Sequence, residues 1–460
     1  MISPKKRGGG IIRFFIYIIK LLLLSKIFIF LSYSLNAKAN KPLYIVRDSE
    51  VEFFLQHLIN GVLENKKIEK NSILPRVILD ESYNAFVVGD NKVYINTGLI
   101  QNSNSIEEIQ GVIAHELGHL FLGHIQSRKT NIRKNSKKLL LGSIALLGLS
   151  LGKGNENLSG IMIASKDLIT KSQFKFNKHQ EMEADIYTIN TLNRMNVSLL
   201  GIKNFHEKAK SKENIFSSPF KSYYSSHPSS NDRINLIKNF SKKNKNKLNK
   251  VLYLKKFSIN LEKLKIKTFV YHKNLKHLNS IGDLKDKNVQ NYLSFSKFYL
   301  QGDIKNSISK MKILKNNDPF NPYIFMLSGD LNFQVNEIDN AILDYEKGIK
   351  LINQNHLSGL IKISLAKAFI EKNNKVSLIR ALDILEEIMP YENTTTLFWR
   401  LIATASGKLK KNAKAYVALA EEQIIKNNLK KAKQFATLGL KDKKLDFIYK
   451  LRAEDILNIK

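Results

Sequence analysis

Two of the ten histidines in this 460-residue chain stand four apart around an acid, in His115-Glu116-Leu117-Gly118-His119. On a helix, positions i and i+4 share a face, so both imidazoles reach one metal ion. Glu116 then lies close enough to accept a proton from an attacking water. That is the chemistry of a zinc-dependent hydrolase, with one ion per chain. A helix must hold these residues, and the flanking sequence supplies one. Ser105-Ile106-Glu107-Glu108 reads as a capping box, and Ile106, Ile109, Val112, Ile113, Leu117 and Leu120 follow at helical spacing.

Two histidines do not complete a catalytic zinc site, which usually takes three protein ligands. The metzincin pattern would continue with Gly at 122 and His at 125, but this chain has Leu122 and Ile125, and His124 is out of step by one residue. Further on, Glu181-Met182-Glu183-Ala184-Asp185 falls in a stretch, Gln180 to Leu192, that reads as a second helix. Glu181 and Asp185 share a face of it. A carboxylate ligand with a further acid to orient an imidazole suits a His/His/Glu site. Taken alone, the same five residues would read as a surface acidic cluster.

With these motifs in place the chain resembles the gluzincin metallopeptidases that include HtpX-type and prenyl-protein proteases, and within them the periplasmic beta-barrel assembly-enhancing proteases. The resemblance rests on HELGH at 115–119, EMEAD at 181–185, Asn84-Ala85-Phe86 before a Gly-turn hairpin, and Ser226-His227-Pro228 followed by Arg233. It implies that Glu181 is the third ligand and that Asp185 supports the site. It also implies that His227 lies close to the metal, stabilising the oxyanion or capping the zinc in a latent state. The setting implied is the periplasm, with unfolded or misfolded outer-membrane proteins as substrates and the barrel-assembly machinery as partner. Two positions depart from the pattern: Lys178 stands where relatives often carry Arg, and Thr188 where they often carry Gly.

Lys5, Lys6, Arg7 and Arg13 precede an apolar stretch ending near Leu35, and Ala37-Lys38-Ala39 offers a cleavage site. This reads as a secretory signal over residues 1–39, with the mature chain starting at Asn40. An uncleaved anchor is the alternative, disfavoured because Lys20 and Lys26 would sit within the bilayer. The chain has no cysteine, which excludes disulfides, thiolate ligands and a lipid-anchored N-terminus, and leaves His and carboxylate as metal donors. The formal charge is +34, but the lysines are spread along helices without a basic stripe interleaved with aromatics. Nucleic acid is therefore not an expected partner, whereas an anionic membrane surface is.

Short strands are expected over Arg76–Leu79, Ala85–Val88 and Lys92–Asn96, the last two joined by Gly89-Asp90-Asn91. Beside the metal helix, a strand carrying Asn84, Ala85 and Phe86 could bind an extended peptide by edge pairing. Leu139–Leu151 is apolar but too short to span a membrane upright. Lys242–Lys250 reads as a basic linker. From about Val289 small residues recur at helix crossings: Gly329 and Ala341 are twelve apart, as are Ala420 and Ala432, and Ser307 precedes Ala341 by thirty-four. That is tetratricopeptide spacing. Phe325, Phe333 and Tyr345 supply the large positions of one unit, Ala366, Phe369 and Ala381 mark a second, and Trp399 with Ala403 begins a third.

The fold expected is mainly α with a small β-sheet (α+β): a zincin metalloprotease domain over 40–250, a connecting segment over 251–285, and an α-α superhelix of repeats over 286–460. Cutting after about Lys285 is expected to leave a folded protease. The function expected is a zinc-dependent endopeptidase, the alternative being a non-proteolytic chaperone or adaptor acting through the repeats.

Overall fold

The computed structural model describes residues 43–125, 161–163, 175–211, 223, 227–228, 231–243, 260–282, 284–352 and 358–459. The expected signal over 1–39, the apolar run 139–151 and residues 244–250 of the basic linker lie outside these. The described part is mostly helical with one small sheet. No described helix is long and apolar enough to cross a membrane.

Strand β1 (Tyr44–Val46) leads into helix α1 (Ser49–Asn65), which Asp48 caps by accepting from the Val51 amide at 2.9 Å. Three strands follow, β2 (Leu74–Ile78), β3 (Ala85–Val87) and β4 (Lys92–Asn96), then the short α2 (Thr97–Asn102) and the central α3 (Ile106–Phe121). Beyond these come β5 (Ile161–Ile163), α4 (Lys178–Arg194), α5 (Leu200–Ser211) and α6 (Asn231–Lys243). The sheet order is β3-β4-β2-β1-β5, with β2 and β4 parallel and the other pairs antiparallel. The expected hairpin between β3 and β4 forms, turning through left-handed Gly89 (φ 77°) and Asn91 (φ 57°). It leaves β3 at the sheet edge, packed beside α3.

The segment 251–285, read from sequence only as a connection, contains two helices, α7 (Leu261–Tyr271) and α8 (Leu275–Ser280). A run of paired helices follows: α9 (Lys287–Gln301) with α10 (Ile304–Asn317), α11 (Pro322–Gln334) with α12 (Ile338–Ile352), α13 (Gly359–Lys372) with α14 (Lys375–Glu392), and α15 (Thr396–Lys408) with α16 (Asn412–Ile425). Then come α17 (Leu429–Gly439) and α18 (Phe447–Asn458). Each of the four pairs turns through one left-handed residue, Gly302, Asn336, Asn373 and Lys410, spaced thirty-four, thirty-seven and thirty-seven residues apart. The small residues lie where helices cross. A Cβ on Gly329 would come within 2.5 Å of the Tyr345 ring, and Ala341, Ala366, Ala381, Ala420 and Ala432 are fully buried.

Contacts also run from the N-terminal strand and α1 to the helices that follow the centre. Arg47 donates to Glu392 on α14 at 3.1–3.2 Å while bonding Glu52 on α1. Lys267 on α7 bonds Asp48 and Glu50 at 3.1 and 2.7 Å, and Tyr271 donates to Asp48. Phe53 meets Tyr323 with ring centroids 5.8 Å apart, and one apolar core runs from α1 and α3 into the helix pairs. The Lys267 and Tyr271 contacts lie on the N-terminal side of Lys285, whereas a cut there would take Glu392 from Arg47 and Tyr323 from Phe53.

A buried histidine and carboxylate centre

Helix α3 carries the HELGH residues through the middle of the N-terminal part, with every residue from Glu108 to His119 buried. Ser105 caps it by accepting from the Glu108 amide at 3.4 Å, as the sequence predicts. The reciprocal bond differs: Glu108 accepts instead from the Asn104 amide (3.1 Å), the Tyr83 hydroxyl (3.1 Å) and Lys208 of α5 (2.9 Å). These bonds anchor the start of the helix to its surroundings. Gly118 lets α4 approach closely, since a Cβ there would lie 3.0 Å from the Tyr187 ring and 3.4 Å from the Ala184 backbone. Helix α4 begins with a capping box, Asn177 with Gln180, that places Glu181 in its first turn.

Across this contact the predicted residues converge. His115 Nε2 and His119 Nε2 are 3.1 Å apart, and the Glu181 carboxylate lies 3.4 Å from the first and 3.5 Å from the second. With the His227 ring these donors all fall within 4.8 Å of one another, and all four residues are buried. Metal–ligand bonds of roughly 2.0–2.2 Å in a tetrahedron set donors about 3.3 Å apart, which is the spacing seen. Glu116 lies beside this point with both carboxylate oxygens buried and no hydrogen-bond partner, and with Oε1 3.5 Å from His227 Nε2. Buried acceptors without donors are costly unless a ligand or water meets them. The donor set and its spacing therefore fit a metal ion held by His115, His119 and Glu181.

Around the donors the electrostatics are tightly coupled. Asp185 sits 3.0 Å from His115 Nδ1 and is itself clamped by Arg233, whose Nε and Nη2 donate at 2.6 and 2.9 Å. Arg233 also reaches Glu181 at 2.7 Å and the Pro228 carbonyl at 3.1 Å, tying the turn after His227 to the centre. Burial opposes a charge on His115, but hydrogen bonds and charge from Asp185 and Glu181 outweigh it and raise its pKa to about 9. His119 goes the other way, pushed well down by burial and then by His115. Burial raises Glu116, with His227 and His115 acting against it. Glu181 is held well below the usual carboxylate range, because His227, His115 and Arg233 outweigh its burial. Burial would also raise Asp185, but Arg233 and His115 keep it low.

His227 is stacked on Tyr223, with centroids 4.7 Å apart and planes at 14°, and its Nδ1 lies 3.1 Å from Glu181 Oε1. The structure thus brings together His115, Glu116, His119, Glu181, Asp185 and His227. Ala85 and Phe86 lie on edge strand β3, and Asn84 just before it: Phe86 stacks on Tyr94 at 5.1 Å, and Asn84 is buried with its Oδ1 lacking a hydrogen-bond partner. Two contributors escaped the sequence reading. Arg233 was visible as part of the Ser-His-Pro…Arg motif but had no assigned work. Helical spacing puts His124 out of register, yet its Nδ1 lies 2.9 Å from His119 Nδ1. The missed signal was Gly123, whose left-handed φ of 72° ends α3 and turns the next residue back onto the helix.

Residues 51–241 match Peptidase family M48. The metalloprotease LoiP of Escherichia coli is 29% identical over 206 residues, 44% of this chain and 72% of that protein. The beta-barrel assembly-enhancing protease of Yersinia pestis is 24% identical over 191 residues, 41% of this chain but only 38% of its own length. The metalloprotease YcaL of Escherichia coli is 26% identical over 195 residues, 42% of this chain and 69% of that protein.

Proposed function

Since residues 51–241 form a Peptidase family M48 domain and the chain is accordingly a metalloendopeptidase, we propose that it uses zinc to cleave misfolded or stalled outer-membrane proteins in the periplasm. The observation that carries the catalytic reading is Glu116, a buried carboxylate without a hydrogen-bond partner, beside three convergent donors. His115, His119 and Glu181 would hold the ion, with Asp185 and Arg233 fixing His115 and Glu181 in place. When bound there, zinc supplies Lewis-acid polarisation of the scissile carbonyl and a lowered pKa for water. Glu116 takes the proton of the attacking water and returns it to the leaving amine, a task suited to a carboxyl raised by burial. His227 closes the remaining side, between Glu116 and Glu181, and we read this arrangement as a latent form.

Edge strand β3, with Asn84, Ala85 and Phe86, would pair with an extended substrate through backbone hydrogen bonds, which suits unfolded chains of varied sequence. The helix pairs beyond Lys287 are read as tetratricopeptide-like repeats that present a surface to substrates or to the barrel-assembly machinery, supported by the recurring left-handed turns. The outer-membrane setting rests on the relative named for beta-barrel assembly.

The test pairs zinc content with digestion of an unfolded outer-membrane protein. Wild type is expected to bind one zinc and cut. Glu116→Gln should keep the zinc and lose roughly a hundred-fold or more in rate. Zinc loss in that variant as complete as in His115→Ala would make Glu116 a ligand and overturn its role as base. His227→Ala should raise basal cleavage or self-cleavage if the latent reading holds. A fall in turnover of roughly a hundred-fold or more would make it an oxyanion donor instead.

A further inference from the structure

His124 and Glu183 are not among the candidate ligands, yet they form a continuous chain ending on one. His119 Nε2 faces His115 and Glu181, while its Nδ1 lies 2.9 Å from His124 Nδ1. The far nitrogen of His124, Nε2, lies 3.1 Å from Glu183 Oε2, which the exposed His179 also approaches at 3.4 Å. A ligating imidazole must leave its metal-facing nitrogen unprotonated, so His119 carries its proton on Nδ1 and donates it to His124. His124, accepting at Nδ1, carries its own proton on Nε2 and donates to Glu183. Each link fixes the next tautomer.

The arrangement parallels the other ligand. Asp185 approaches His115 Nδ1 directly, at 3.0 Å, and His119 reaches its acid through one intervening ring. Both acids lie on the helix that supplies Glu181, Asp185 beside the centre and Glu183 linked to it through His124. The intermediary is needed because Glu183 points to the side of α4, with 43% of its side chain exposed, where it does not reach His119 itself. His124 is 5% exposed, and the left-handed turn at Gly123 delivers it to the gap. We propose that His124 and Glu183 act as a positioning relay that fixes the tautomer and ring orientation of His119 and so strengthens metal binding. This rests on the reading of His119 as a zinc ligand.

The readout is zinc affinity of the full chain, measured by competition with a chelating dye. Outer partners of ligating histidines are worth roughly 10–100-fold in affinity. His124→Leu, which keeps bulk but offers no acceptor, should lose an amount in that range. His124→Asn, whose Oδ1 can occupy the acceptor position but whose amide does not reach Glu183, should lose no more than Glu183→Gln does, roughly three- to tenfold. Glu183→Gln should weaken zinc by roughly three- to tenfold, and by nothing further in a His124→Leu background. Equal affinity for wild type, His124→Leu and Glu183→Gln would overturn the relay while leaving the zinc reading intact. His124→Asn as weak as His124→Leu, or additive losses in the double variant, would reduce His124 to packing. Wild type that binds no zinc would overturn both readings. Should His124→Leu fail to fold, the half-exposed Glu183 position still decides the matter.

Discussion

Polar contacts do different work in the histidine centre and in the helix pairs beyond Lys287. In the centre, side chains from α3, the turn after it, α4 and the segment around His227–Arg233 meet at one buried point, and each charge is held by another. In the array, charged pairs such as Lys372 with Asp339 bridge neighbouring helices at the surface, with 40% and 76% of the side chains exposed. Both are ion pairs of similar length, yet solvent screens one and not the other. Short distance alone says little about what a contact contributes.

The largest expected effect tests this directly. Arg233→Met leaves Asp185 and Glu181 without their buried cation and should destabilise the chain by roughly 3–5 kcal/mol in urea unfolding, with loss of zinc. A loss below about 1 kcal/mol would mean that water reaches the centre and that the contrast with the surface is false. Next comes packing in the array. Gly329→Ala sets a methyl group 2.5 Å from the Tyr345 ring, and it should lower stability by about 1–3 kcal/mol while leaving zinc affinity unchanged. Zinc loss in that variant would show that the shared core transmits strain to the centre.

A pH experiment probes a part-buried polar contact within the array. Asp330 donates nothing when ionised and is pushed up to about 6 by burial, the Tyr345 hydroxyl partly offsetting this. Its native form therefore holds a proton that the unfolded chain releases near pH 4. Stability from this group is present below about 4 and is lost as pH rises to about 6. The difference between wild type and Asp330→Asn should fall by roughly 2 kcal/mol across that window, read by urea unfolding at each pH. A flat difference would show that water reaching this half-buried carboxyl cancels the shift. Smallest of all, Lys372→Ala should change stability by no more than about 0.5 kcal/mol, and a larger loss would give the surface pairs of the array a role denied them above.

Much of this molecule was determined by local sequence. Spacing and capping residues locate α3 and α4 and put His115 and His119, and likewise Glu181 and Asp185, on common faces, because helical periodicity needs only near neighbours. The β3–β4 hairpin and the small residues of the helix pairs were legible for the same reason. Only the tertiary structure decided that Glu116 is buried without a partner, that Arg233 clamps Asp185 and Glu181, and that Glu392 meets Arg47 across 345 positions of sequence. It also decided the place of His124. Counting along an unbroken helix puts that residue out of step, whereas one left-handed glycine reverses the chain and carries the ring back to His119. Sequence patterns encode periodicity within an element, but how elements pack, and what their ends and turns bring together, depends on contacts that no local spacing contains.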